Sequence, residues 1–249
     1  MAGVLAMKYD LLCSGSKGNC FVLRDEDAQI IIDCGSTRRY LLDAFKKIGV
    51  SYENSDALLI THEHSDHTSQ LKMFSGVESY SPYPLPYVLS NTVIQPNETF
   101  SVRHLSIKAI ALSHDAPRTV GYIISNGIEK LVYITDTGYL NSRYYEDIRN
   151  ADYYIMESNH DVEMLMRTNR PYLLKQRILS DSGHLSNDAC AEILSTVVGE
   201  RTKEVVLAHL SEEANEPSLA YETTRARLDE RISVRCGSQK EIVSGGKDA

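Results

Sequence analysis

The chain has no tryptophan, no C-x-x-C pair and no apolar run near the roughly 18 residues that cross a bilayer. Five cysteines, Cys13, Cys20, Cys34, Cys190 and Cys236, are odd in number and scattered. That pattern argues against a disulfide framework or a zinc knuckle and makes a reducing cytoplasm the simplest home. Positive charge is also in deficit, with 26 Lys and Arg against 34 Asp and Glu, a net −8. The average field therefore repels nucleic acid, and a phosphate-bearing substrate must be captured by local cations, bound metal included. A protein that coats nucleic acid without regard to sequence is disfavoured. The first ten residues lack a charged segment followed by a long apolar stretch, so the chain reads as unexported and free of the membrane. No heptad or long apolar repeat marks a subunit interface, which leaves the oligomeric state open.

What is present suits an enzyme-sized body: 249 residues, 42% hydrophobic, with 15 tyrosines. Residues 1–236 read as a single domain and 237–249 as a polar, frayed tail. Three short apolar runs, Tyr9 to Cys13, Cys20 to Arg24 and Gln29 to Asp33, predict an antiparallel meander. Thr37 to Gly49 carries apolar residues at helical spacing and closes on glycine, as an amphipathic helix does. A strand follows at Ala57 to Thr61. Three prolines and three tyrosines between Tyr80 and Tyr87 predict an extended loop with at most an edge strand. Further strands are expected at 105–113, 120–125 and 129–135. Helices at 142–150, 161–167, 186–198 and 218–232 should then interleave with strands at 152–156 and 204–208.

Four apolar runs end abruptly in metal-ligand chemistry: Ala57 to Ile60 into Thr61-His62-Glu63-His64, Leu131 to Ile134 into Thr135-Asp136, Tyr154 to Met156 into Glu157-Ser158-Asn159-His160, and Val205 to Ala208 into His209. In layered α/β folds ligand sites gather outside one edge of the sheet, so these strand ends should meet in space. His62, His64, Asp66 and His67 lie within six residues, too many for one tetrahedral ion. Imidazole and carboxylate suit zinc, manganese, iron or nickel, and a catalytic zinc takes about three protein ligands with one position left for water. Two adjacent ions account for the segment better than one. His114, Asp136 and His209 are available to complete them, and Asp136 could bridge. A pair of ions would deprotonate a shared water and stabilise a departing ester oxygen. As isolated residues, histidines are more often hydrogen-bonded surface groups, but three imidazoles and a carboxylate crowded together add nothing to a core.

This segment resembles the H-x-H-x-D-H signature of the metallo-β-lactamase fold superfamily, with Asp33, His114, Asp136 and His209 in the order of its other motifs. The resemblance implies a four-layer αβ/βα sandwich. It also implies one ion held by His62, His64, His114 and Asp136 and a second by Asp66, His67, Asp136 and His209, with Asp33 steadying the ligand loop from behind. The enzymes that open β-lactams usually carry cysteine where Asp136 stands, which discounts that activity. Six local motifs, including Ser14-Gly15-Ser16-Lys17-Gly18-Asn19-Cys20, Ser113-His114-Asp115-Ala116, Glu157-Ser158-Asn159-His160-Asp161 and Gly183-His184-Leu185-Ser186-Asn187, are similar to the YycJ/WalJ family of bacterial metallo-hydrolases, regarded as DNA exonucleases or phosphodiesterases. The Pro-rich stretch at Tyr80 to Tyr87 carries no pattern of that family.

Other residues carry two readings. The turn at Ser14 to Asn19 lacks the Walker spacing, so it is no P-loop; it is a hairpin loop or, with the resemblance, a phosphate nest to which Ser14, Ser16, Asn19 and, from another loop, Asn159 contribute. His160 and His184 are structural or catalytic, and His184 is the better candidate general acid because it precedes a helix start. His104 is a surface residue and Cys34 a small buried hydrophobe. Arg167, Arg170, Lys175 and Arg177 form a solvated face or a phosphate-backbone track. The resulting expectation is a dinuclear phosphodiesterase acting on DNA ends, in which a metal-bridging hydroxide, oriented by Asp66, attacks phosphorus. The alternatives are a small-molecule hydrolase acting on a thioester, lactone or cyclic phosphodiester, and a metal-holding module without turnover.

Overall fold

The architecture is that of a computed structural model that describes residues 6–246. The expected meander is present as β1 (Lys8–Cys13), β2 (Cys20–Asp25) and β3 (Ala28–Ile32), paired antiparallel. After α1 (Arg38–Lys47) the chain enters β4 (Ala57–Leu59), parallel to β3 with Ile30 opposite Ala57. The one-turn α2 (Ser65–Thr68) leads to β5 (Ser79–Ser81) and β6 (Asn91–Val93), which continue the sheet in parallel. The second sheet starts with β7 (Thr99–Val102), β8 (Leu105–Ala111), β9 (Val120–Ser125) and β10 (Lys130–Ile134), each antiparallel to the next. Beyond α3 (Tyr145–Ile148), β11 (Tyr153–Glu157) adds parallel to β10. Next come α4 (Val162–Arg167), α5 (Tyr172–Ile178) and α6 (Asn187–Val197), then β12 (Glu204–Ala208), α7 (Pro217–Arg225) and β13 (Ser233–Cys236). Finally β14 (Val243–Gly246) returns to the first sheet beside β1.

The two sheets therefore run β14-β1-β2-β3-β4-β5-β6 and β13-β12-β11-β10-β9-β8-β7. Their inner faces share one apolar core, in which Tyr9, Phe21, Ile30 and Leu59 of the first meet Ile107, Tyr122, Tyr133, Ile155 and Val206 of the second. On one outside, Leu41, Ala44 and Phe45 of α1 cover Val22, Ile31 and Leu58. On the other, Ile193 and Leu194 of α6 and Ala220 of α7 cover Val132, Tyr154 and Val205. Strands with both faces covered read as unbroken apolar runs, which is why β4 and β12 have no polar alternation. Each fully buried Leu, Ile or Phe contributes about 1.5–3 kcal/mol by leaving water. The helix starts are set locally: Thr37 accepts from the Tyr40 amide at α1, and Ser186 accepts from the Ala189 amide at α6. The α/β four-layer expectation is met. Among the described residues no helix is long and apolar enough to cross a membrane.

Three local expectations need correction. Residues 243–246 are not frayed; they pair with β1, Tyr9 opposite Gly245, and Gly237 N donates to Leu207 O at 2.7 Å. A Cβ on Gly245 would lie 2.2 Å from the Tyr9 hydroxyl, so glycine is required where this strand passes the ring. Residues 247–249 lie outside the described part. The Pro-rich stretch begins inside β5, which is internal because β6 covers its other edge. α5 falls within the supposed run of cations, and its Lys175 turns inward, donating to the carbonyls of Met166 and Thr168 at 2.7 and 2.8 Å.

Candidate metal centre

β1, β3, β4, β8, β10, β11 and β12 point the same way, so the segments that follow them collect at one edge of the sandwich. The loop after β4 carries His62 to His67 and is tied down from three sides. Asn19 N donates to Asp66 O at 2.8 Å, Cys34 N to His67 O at 2.7 Å, and from the opposite sheet Val120 N donates to Thr61 O at 3.0 Å. The Tyr122 hydroxyl also donates to Ile60 O at 2.6 Å and that of Tyr83, within the Pro-rich stretch, to His62 O at 3.1 Å. Gly35 lets this backbone close up, since a Cβ there would lie 1.6 Å from Asp66 O. Asp33, Asp136 and His209 all adopt left-handed backbone, with φ of 59°, 59° and 56°, within two residues of their strand ends. Such conformations cost energy in residues other than glycine and gather at functional sites, where surrounding contacts enforce them.

The side chains meet in overlapping sets. Candidate ligand atoms of His62, His64 and His114 lie within 4.8 Å of one another, as do those of Asp66, His67 and His209, those of His62, His67 and Asp136, and those of Asp136, Glu157, His184 and His209. Asp136 stands between the first two: its Oδ2 is 3.1 Å from His67 Nε2, and its Oδ1 is 3.4 Å from His209 Nε2 and 3.9 Å from His114 Nε2. His62 Nε2, His209 Nε2 and Asp136 Oδ2 are buried without a hydrogen-bond partner. Buried polar atoms are normally paired, so lone pairs that converge without bonding one another fit cation ligation, and the donor set of imidazole and carboxylate suits divalent metal ions.

Carboxylates behind the ligands fix which ring nitrogen faces inward. Asp33 Oδ2 is 2.7 Å from His67 Nδ1, and the Asp33 carboxylate also accepts from the Thr61 amide and hydroxyl. His114 Nδ1 donates to Gly183 O at 3.1 Å, leaving Nε2 for the site. Glu157, at the end of β11, accepts from the Thr137 amide and reaches His184 Nδ1 at 2.7 Å and His209 Nδ1 at 3.2 Å. Such carboxylate–imidazole pairs orient a ligand and raise its basicity. Burial holds His62 and His114 below the ordinary imidazole pKa. Burial acts the same way on His67 and His209, but Asp136 and the neighbouring carboxylates dominate, raising His67 well above its usual value and His209 to about 10. Burial opposes ionisation of Glu157, yet His184 and His209 hold its carboxyl at about 2.

All seven sequence-predicted ligands, and Asp33, thus lie together. Other assignments shift. His184 sits beside both histidine sets, with ring centroids 5.1 Å from His114 and 5.2 Å from His209. His160, the other candidate acid or base, belongs to none of these sets; it is buried, neither of its ring nitrogens has a partner, and burial lowers its pKa to about 4. Ser14 and Asn159 are engaged with the chain itself. Ser14 Oγ accepts from His209 N at 2.7 Å and Asn159 Nδ2 donates to His209 O at 2.8 Å, so both position His209. Asn19 is buried with its amide 2.9 Å from His67 Nε2, while Ser16 is exposed on the rim. The turn's Gly15, Lys17 and Gly18 amides bond within the chain, to Asn19, Gln239 and Gly15, which makes it a hairpin loop rather than an open nest. Arg167 and Arg170 pair with Glu163 and Glu213, and Arg177 pairs with Asp115. Cys34 is buried, and His104 reaches Asp25 at 3.0 Å away from this edge. Glu157 escaped sequence reasoning as a site residue although its position, polar at the end of an apolar strand, matched that of the ligands.

Two face-to-face mixed sheets flanked by helices, with this cluster at one edge, define the class: a metallo-β-lactamase-fold hydrolase, which implies divalent metal ions. Residues 28–210 match the Beta-lactamase superfamily domain, and the chain belongs to that family. Within it, the chain is 35% identical over 234 residues to exodeoxyribonuclease WalJ of Streptococcus pneumoniae, covering 88% of this chain and 87% of that one. It is 31% identical over 240 residues to exodeoxyribonuclease YycJ of Bacillus anthracis, covering 91% of each. Among solved structures, the metallo-β-lactamase fold protein YhfI from Bacillus subtilis superposes with a TM-score of 0.75 at 18% identity, covering 97% of this chain and all of that one.

Proposed function

We propose that the chain is a dinuclear metal-dependent phosphodiesterase that hydrolyses DNA from its ends. The observation that carries this reading is Asp136, a buried carboxylate standing within 3.9 Å of ligand nitrogens from both histidine sets. His62, His64 and His114 would hold one ion, Asp66, His67 and His209 the other, and Asp136 would serve both. Bound there, divalent ions supply a nucleophile at neutral pH and charge to stabilise the displaced ester oxygen. Zinc is the first candidate on ligand chemistry, with manganese, iron and nickel acceptable to the same set.

The chain's own groups supply the rest. Burial opposes ionisation of Asp66, yet His209 and His67 hold its carboxyl well below the usual carboxylate range, so that as a standing anion it would orient the attacking water. His184 has Nδ1 fixed by Glu157, leaving Nε2 to protonate the departing oxygen. The names of the WalJ and YycJ relatives support DNA as substrate. A panel of bis-nitrophenyl phosphate, single- and double-stranded DNA, RNA and a thioester tests the reading; turnover of the thioester alone overturns it and favours a small-molecule hydrolase. His184→Ala should lower kcat by about 10²–10⁴-fold with both ions retained, and loss of an ion instead would make His184 a ligand.

A further inference from the structure

Between the open side of the site and α5 lies an ion pair that the proposed chemistry does not use. Asp115, directly after His114, splits its carboxylate: Oδ1 is 3.2 Å from His114 Nε2 and 3.6 Å from His64 Nε2, while Oδ2 is 3.1 Å from Arg177 Nη1. The Arg177 side chain is 59% exposed and that of Asp115 24%, so the pair is open to solvent beside the site. α5 is held against the site by Gly183, where a Cβ would lie 2.3 Å from Arg177 O, and the adjoining His184 amide donates to Ile178 O at 3.0 Å. The guanidinium is therefore carried on a fixed element beside His114 and His184.

We propose that Arg177 is the anchor for the substrate phosphate and that Asp115 is its resting occupant, an internal anion that the phosphodiester displaces. The inference rests on the phosphodiester reading of the same site. Arginine's planar fork matches two oxygens of a phosphate, and in a chain of net charge −8 capture of an anion needs such a local cation. In the resting arrangement one carboxylate lies between the guanidinium and two candidate ligand nitrogens, where a phosphate would meet both the guanidinium and an ion held by those nitrogens. Exchange of one anion for the other leaves neither the guanidinium nor the site without a counter-charge.

The test uses the metal-loaded full chain, bis-nitrophenyl phosphate kinetics, calorimetric binding of inorganic phosphate and metal content by mass spectrometry. Arg177→Ala should weaken phosphate binding and raise KM by about tenfold, more than it lowers kcat, with both ions retained; Arg177→Lys should recover part of the loss. Asp115→Asn should tighten phosphate binding severalfold at unchanged metal content. Unaltered phosphate affinity in Arg177→Ala overturns the proposal. Loss of one equivalent of metal in Asp115→Asn also overturns it, because Asp115 would then be a ligand rather than an occupant. If the wild type binds phosphate through Arg177 but turns over no phosphodiester, the anchor stands and the proposed activity fails. If turnover persists with KM indifferent to Arg177, the activity stands and the anchor fails.

Discussion

The two halves of the site are built from the same residue types but differ in what lies behind them. His62 is buried with Thr61 Oγ1 3.0 Å from its Nδ1, His114 leans on a backbone carbonyl, and His64 has a side chain 39% exposed. Behind His67 and His209, by contrast, stand the buried carboxylates of Asp33 and Glu157, with Asp136 in front of both rings. In the first half burial thus drives His62 and His114 toward neutrality. The second holds its protons on His67 and His209, so that an ion bound there would have to displace them.

The largest effect should come from the residue that the halves share. Asp136→Ala is expected to lower turnover by on the order of 10³-fold or more and to empty both halves, as read by metal content. If only one ion is lost, Asp136 belongs to one half. Next, Asp33→Asn should weaken the second ion by about 10–100-fold, measured by competition with a chelator, and spare the first. Equal weakening of both would erase the distinction between the halves. Proton release gives a third test. In the second half, affinity should rise with pH up to about 10, by about tenfold per unit for each proton displaced, whereas the first half should stay flat above neutrality. The same raised pKa sets a stability trend in chelator-stripped protein. Protonated His209 stabilises the fold fully below about pH 6.5, and that contribution disappears as pH rises through about 10, so Tm should fall over this window. Last, Thr37→Ala, at the cap of α1 and outside both halves, should cost about 1 kcal/mol in denaturant unfolding without changing metal content.

Much of this was legible in the residues because ligand chemistry is local. His62 to His67 follow one another, and Asp136 and His209 each end an apolar run, so type and position together marked them. What escaped depends on contacts that sequence spacing does not encode. Ser14 and Asn159 looked like phosphate donors but meet the His209 backbone, a partner far away along the chain. Arg177 and Lys175 are two residues apart on α5, yet one reaches the site mouth and the other closes the end of α4, because a helix turns adjacent side chains to different faces. Periodicity missed β14 because Ser244, Gly245 and Gly246 carry no apolar alternation and pair through backbone, with the Ser244 hydroxyl donating to Asp10 opposite it.

The bond from His209 N to Ser14 Oγ joins residues 195 positions apart. Contacts that distant form slowly, since the whole intervening chain must be ordered before they repay loop closure. The six-residue histidine segment is made early in synthesis, but its partners arrive on strands of the other sheet. A nascent chain thus displays these side chains long before their partners can gather around them, so that any metal capture by the whole cluster would be a late event reporting completed folding.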